Sequence, residues 1–169
     1  MKKRLLFAVL AVLPVVAGVA LAASAFDGAK SATARFHDLD QAKAAGYTVE
    51  VADLAGITCI EDTAGTGTMG VHMLNPALLF DGGAIDADRP EILVYEPRNN
   101  GTLKLVALEY LVFKSDYASG RPSLFGQEFD SIPAANRYGI PESWALHAWI
   151  WKPNPSGMLK PYNPRVDCG

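Results

Sequence analysis

The chain has 169 residues, half of them hydrophobic and a fifth charged, a balance that suits one globular domain and excludes a disordered chain. Its formal net charge is -3, and without Lys2, Lys3 and Arg4 the count is twelve basic against eighteen acidic residues, or -6. That sign argues against nucleic acid and anionic membranes as partners, because phosphate binding needs a basic surface.

Lys2, Lys3 and Arg4 form a positive head, and an apolar run from Leu5 to about Leu21 follows it. Small residues then stand at the spacing read by signal peptidases, at Ala20-Leu21-Ala22 and Ala23-Ser24-Ala25. The pattern predicts a secretory signal peptide over residues 1–25, cleaved after Ala22 or Ala25, and a single secreted β-rich domain over 26–169. The alternative is an uncleaved anchor, since the run is almost long enough to span a bilayer; Pro14 and the two small-residue sites favour cleavage. No later apolar run is long enough to span, so no stable membrane insertion is expected after cleavage, and the protein is expected in the periplasm or the medium. Cys59 and Cys168 are the only cysteines, and in an oxidising compartment they predict one disulfide. Two thiolate metal ligands are the rival, weakened by the lack of a Cys-x-x-Cys spacing.

Residues 26–35 are small and polar and read as a lead-in. Asp38 with Gln41 resembles a capping box, Ala42, Ala44 and Ala45 favour helix, and Gly46 is a natural stop, which predicts one short N-terminal helix from about Leu39 to Ala45. Tyr47 to Val51 alternates. The Gly/Thr-rich segment 63–70 leads into a strand, Met69 to Leu74, ended by Asn75-Pro76. Ile92–Glu96 and Thr102–Phe113 form a hairpin through Arg98-Asn-Asn-Gly101, with Asn-Gly as the strongest short-range signal in the chain. Residues 114–142 read as a long loop, and Ser143 to Trp151 as the last strand. These elements predict a β-rich single domain, an all-β sandwich or barrel or an α+β sheet.

Three ionisable side chains interrupt apolar strands. Strand alternation puts Leu105, Ala107, Glu109 and Leu111 on one face and Val106, Leu108, Tyr110 and Val112 on the other. Both rows are apolar, so the strand is expected to be covered on both sides, and Glu109 then needs water or a partner. His147 falls in the row Ala145, His147, Trp149, Trp151, and His72 in the row Gly70, His72, Leu74. If the three strands are neighbours, two imidazoles and a carboxylate converge. That set suits zinc, or non-haem iron with open positions, and it equally suits a hydrogen-bonded network without metal. Trp149 and Trp151 would wall the same pocket. Met69, His72, Met73 and Met158 offer softer ligands for copper, but His72 and Met73 point to opposite faces, which places copper below zinc or iron. Asp81, Asp86 and Asp88 match no calcium loop and read as solvated turn acids. There is no G-x-S-x-G, HExxH, P-loop or GxGxxG.

The segments Met69-Gly-Val-His72-Met-Leu-Asn-Pro76, Pro90-Glu-Ile-Leu-Val-Tyr-Glu-Pro97, Leu146-His147-Ala-Trp-Ile-Trp-Lys-Pro-Asn-Pro155-Ser-Gly157 and Tyr162-Asn-Pro-Arg-Val-Asp-Cys168 resemble a family of small exported bacterial proteins of uncharacterised function. The resemblance implies export and a single domain, and brings no activity, substrate or cofactor. Three readings follow from the residues. One is a small exported binding module with a small-molecule pocket built around His72, Glu109 and His147. The second is a zinc or iron enzyme using the same trio. The third is a structural or stress-related envelope protein in which the trio is a polar core network.

Overall fold

The strand that alternation marks as covered on both faces is the axis of the structure. The computed structural model describes residues 14–169, with side chains from Ala23 onward. The charged head of the expected signal peptide and the start of its apolar run lie outside the described residues. In chain order the strands are β1 (Val49–Glu50), β2 (Cys59–Glu61), β3 (Thr68–Leu74), β4 (Ile92–Pro97), β5 (Leu103–Phe113), β6 (Ser123–Leu124), β7 (Gln127–Glu128), β8 (Asp130–Ile132) and β9 (Ser143–Ala148). Seven of them form one antiparallel sheet in the order β1-β3-β4-β5-β9-β8, with β2 also on β3; β6 and β7 pair separately. β5 pairs with β4 on one side and β9 on the other, and every residue from Leu105 to Phe113 is buried. The Asn-Gly turn joins β4 to β5 as expected. Gly101 sits at φ +79° and donates its N–H to Arg98 O at 2.8 Å.

The helices are α1 (Pro14–Thr33), a 3-10 turn (Ala34–His37), α2 (Leu39–Ala44) and α3 (Pro76–Leu79). α2 is the short helix read from the sequence, with the Asp38 side chain accepting from the Asp40 N–H at 3.0 Å. The expected lead-in at 26–35 is instead helical to Thr33, because its small residues allow close packing: Ala29 and Thr33 are fully buried, and Phe26 stacks on Phe125 with centroids 4.1 Å apart. Either expected cleavage position leaves Phe26 with the folded domain. None of the described helices is long and apolar enough to cross a membrane.

One face of the sheet packs under α1, the 3-10 turn and α2. Tyr95, Leu93, Leu108 and Tyr110 meet Phe36, Ala42 and Tyr47 there. The tyrosines anchor the layer through backbone carbonyls: Tyr95 donates to Phe36 O at 2.7 Å, Tyr47 to Pro90 O at 2.8 Å and Tyr110 to Ala87 O at 2.7 Å. The opposite face carries a second core of Ile92, Val94, Ala107, Leu111, Ala145 and Trp149, covered by α3, loops and the C-terminal tail. Of the expected architectures, this is the α+β sheet. The Cys59–Cys168 disulfide closes the tail onto β2.

Two departures from the alternation matter. Val94 faces Ala107 while Tyr95 faces Leu105, so Val106 is an extra residue in β5, a β-bulge. Leu105 therefore joins the helix-side core with Leu108, and Val106 joins Ala107 on the opposite face, reversing their expected places. Second, segment 114–142 is more than a loop. It holds the β6–β7 hairpin and β8, which pairs with β9 at the edge of the main sheet. These strands are too short for a periodic pattern to register. Their tight turn puts Phe125 at φ +55°, and its ring is held by Phe26 and Tyr110.

Candidate metal centre

The register of the sheet assembles the site. Glu109 on β5 stands directly opposite His147 on β9, so both side chains leave the same face as a cross-strand pair. His72 on β3 faces Val94 of β4, which in turn faces Ala107, two residues from Glu109 on the same side of β5. β3 and β9 are three strand spacings apart, about 14 Å, so the two imidazoles lean inward to meet. Their Nε2 atoms come within 3.4 Å of each other, and His72 Nε2 lies 3.4 Å from Glu109 Oε2. His147 Nδ1 lies 3.8 Å from Glu109 Oε1. One ligand atom from each residue fits within a set whose members are all within 4.8 Å of one another, and all three residues are buried.

Those distances have a meaning for coordination. Two atoms each about 2.0–2.1 Å from a tetrahedral zinc are about 3.3 Å apart. Both contacts of His72 Nε2 match that edge. The other nitrogen of His72 is already committed: Nδ1 is 3.1 Å from the carbonyl of Gly70, a contact that places the proton on Nδ1 and leaves the Nε2 lone pair facing Glu109 and His147. Gly70 itself has φ +109°, and a Cβ there would collide with the carbonyl oxygen of Tyr95. The glycine thus permits the backbone bend that presents this carbonyl to the imidazole.

Burial governs the charges. It lowers His72 to about 4, against a smaller opposing effect of the Gly70 carbonyl, and it holds His147 well below the usual imidazole value, with His72 adding to the shift. Burial, then the Glu91 carboxylate, pushes Glu109 up to about 8. At neutral pH and without an ion, the site therefore holds two neutral imidazoles and a protonated carboxyl, which can donate to His72 Nε2. Among the described residues no lysine or arginine enters the set to hold Glu109 as an anion. A divalent cation would supply the missing charge and displace that proton.

Beside the trio is a cavity of about 290 Å³ into which His72 and Glu109 open. Leu74, Leu79, Ile92, Leu111, Ile132 and Ile140 are among its apolar lining residues, with Tyr138 and Met69 on the wall and Glu50 at its exposed edge. His147 lies behind, its ring stacked on Trp149 at 6.2 Å.

The two tryptophans expected to wall the pocket part company. Trp149 backs His147 without lining the cavity, is 2% exposed, and donates its indole N–H to Lys160 O at 2.6 Å. Trp151 lies elsewhere, against His37 (centroids 4.4 Å apart) and beneath Lys30. The alternation fails because β9 ends at Ala148, after which the chain turns and the N–H groups of Trp151 and Lys152 both donate to Val106 O, at the bulge. The softer copper set is not assembled. Met73 is in the helix-side core, away from His72, and Met158 is half exposed. Asp81 and Asp86 accept from nearby backbone N–H groups in turns, as expected of solvated acids.

Two residues of the site went unread in the sequence. Glu91, just before β4, is a second buried carboxyl, accepting from the Leu111 N–H at 3.0 Å and pushed up to about 8 by burial. Tyr138, in the segment read as a loop, lies on the cavity wall, and burial followed by the charge of Glu109 keeps its proton firmly on the oxygen. Arg137 holds this segment in place by pairing with the Asp53 carboxylate and donating to Glu61 O at 2.8 Å. A lone carboxylate at a strand start and a tyrosine in a loop carry no periodic signal.

Compared with protein-family models, curated proteins and solved structures, the chain matches none.

Proposed function

We propose that this is an exported metal-binding protein in which His72, Glu109 and His147 hold one zinc-class ion, with a remaining coordination position facing the apolar cavity. The observation that carries the reading is the pair of 3.4 Å contacts at His72 Nε2, at the spacing of ligands on one tetrahedral ion. That no lysine or arginine among the described residues pairs with the buried Glu109 carboxyl supports it. So does the Gly70 carbonyl, which fixes the His72 tautomer as the outer partners of metal-bound imidazoles do. Two histidines and one carboxylate with an open position also suit non-haem iron. The oxidising compartment expected from the leader and the disulfide favours zinc, which has no redox chemistry. Three protein ligands and an open position are the arrangement of catalytic zinc sites, where the ion activates a water or polarises a carbonyl.

The test is elemental analysis of protein incubated with zinc and then dialysed against metal-free buffer. Wild type is expected to retain about one zinc per chain, and His72→Ala and Glu109→Gln to lose it while keeping their far-UV circular dichroism. No retained zinc, iron or manganese in wild type would overturn the proposal in favour of a metal-free polar network. Equal retention by the variants would place the ion elsewhere.

A further inference from the structure

The cavity indicates what approaches the ion. Its volume, about 290 Å³, is roughly twice the ~150 Å³ that accommodates benzene in an apolar protein cavity, so it has room for about twelve non-hydrogen atoms. Nine of its fifteen lining residues are branched aliphatics, and among the described residues no lysine or arginine lines it. The charged groups on it are both acids, Glu109 at the trio and Glu50 at the exposed edge. In the loaded protein the ion would offset both acids, so the lining by itself sets no preference against an anion, whereas a cationic head would be buried beside the ion.

Tyr138 supplies the remaining polarity. The three tyrosines of the helix-side core all spend their hydroxyls on carbonyl oxygens at 2.7–2.8 Å. The Tyr138 hydroxyl, among the described residues, has only the Met69 sulfur at 3.9 Å, a weak acceptor, and it lies on the cavity wall with Glu109 and His72. A strong donor is therefore free for an acceptor placed beside the trio.

We infer that the cavity binds a mostly hydrocarbon small molecule with an oxygen function at one end, such as an alcohol or ketone, with that oxygen held between the Tyr138 hydroxyl and the His72–Glu109 side of the site. The inference deepens the metal-site reading and rests on it for the identity of the second group facing the oxygen. The apolar body lies along Leu74, Leu79, Ile92, Leu111 and Ile140. Tyr138 is thus a specificity residue, selecting for an oxygen at one end.

The test is calorimetric titration of the zinc-loaded protein with 1-octanol, 2-octanone, octane and octylammonium. 1-Octanol and 2-octanone are expected to bind at one per chain, and octylammonium at least about tenfold more weakly, because a cationic head would be buried beside the bound ion without a counter-charge. Tyr138→Phe is expected to weaken 1-octanol about five- to tenfold, the effect of one lost hydrogen bond, and to leave octane unchanged. Ile140→Trp, which fills the cavity with a side chain from its rim, is expected to abolish binding of both. Octylammonium binding as tightly as 1-octanol would overturn the inference, as would wild-type affinity in Ile140→Trp. Zinc content is measured on the same samples. Retained zinc without 1-octanol binding overturns this inference alone; 1-octanol binding without retained zinc overturns the metal reading alone.

Discussion

Removing the disulfide separates what holds the folded tail from what restrains the unfolded chain. Cys59 and Cys168 are 109 residues apart. In the chain-entropy treatment, opening a loop of that length restores roughly 16 cal/mol/K to the unfolded state, about 4.8 kcal/mol at 25 °C. The folded tail has other anchors. Thr68 and Asn163 exchange backbone hydrogen bonds at 3.1 and 3.0 Å, Asn163 is fully buried, and Val166 is 5% exposed in the second core. The double variant Cys59→Ala/Cys168→Ala should therefore keep its native fold and lose stability mainly through the unfolded state. At about 2–4 °C per kcal/mol for a chain of this size, the melting temperature should fall by about 10–19 °C. The denaturant slope should rise, because the unlinked chain expands further. Scanning calorimetry and urea titration of the oxidised wild type and the variant measure both. A fall of under about 3 °C would show that loop closure is not what the bond contributes. Loss of native circular dichroism at 25 °C would show that the tail anchors do not suffice.

Two further outcomes concern the site. Gly70→Ala forces a Cβ into the Tyr95 carbonyl at a positive φ, and should cost about 1–3 kcal/mol or more in urea titration while weakening zinc by about 10- to 100-fold through the displaced His72 partner; wild-type zinc affinity in this variant would show that the Gly70 carbonyl does not orient the imidazole. In chelator-treated protein, Glu109 has its folded value raised to about 8 from an ordinary 4.5, so its folded form keeps a proton that the unfolded chain has lost between those values. Its contribution is fully present below about pH 4.5, falls by up to ~1.4 kcal/mol per pH unit as pH rises, and is gone above about pH 8. Glu91 shifts in the same direction over the same window, so wild type carries both losses and Glu109→Gln only one. Urea titrations at pH 5 and pH 8 should show the variant gaining on wild type by a few kcal/mol at the higher pH; an unchanged difference would contradict the burial of an unpartnered carboxyl.

Much of the site was legible because burial leaves a mark in a strand sequence. His72, Glu109 and His147 each interrupt a row of apolar residues, and an ionisable group in such a row must find a partner. The β4–β5 hairpin was legible because Asn-Gly fixes both the turn and the register. What the pattern could not carry was any break in the period of two. The bulge at Val106 exchanges the faces of Leu105 and Val106, and the end of β9 at Ala148 sends Trp151 to the helix side. Both breaks depend on the neighbouring backbone, Tyr95 in one case and the returning tail in the other. The helix through Thr33 was hidden for a related reason. Its buried residues are small, and Ala29 and Thr33 become core only because Phe26 and Phe36 frame them.

The most direct test of the metal reading is X-ray absorption at the zinc edge of the loaded protein. Two imidazole nitrogens and one carboxylate oxygen at about 2.0–2.1 Å, with a fourth light ligand, are expected, and one imidazole should disappear from the spectrum in His147→Ala. A shell of water oxygens alone, or a spectrum that His147→Ala leaves untouched, would contradict it.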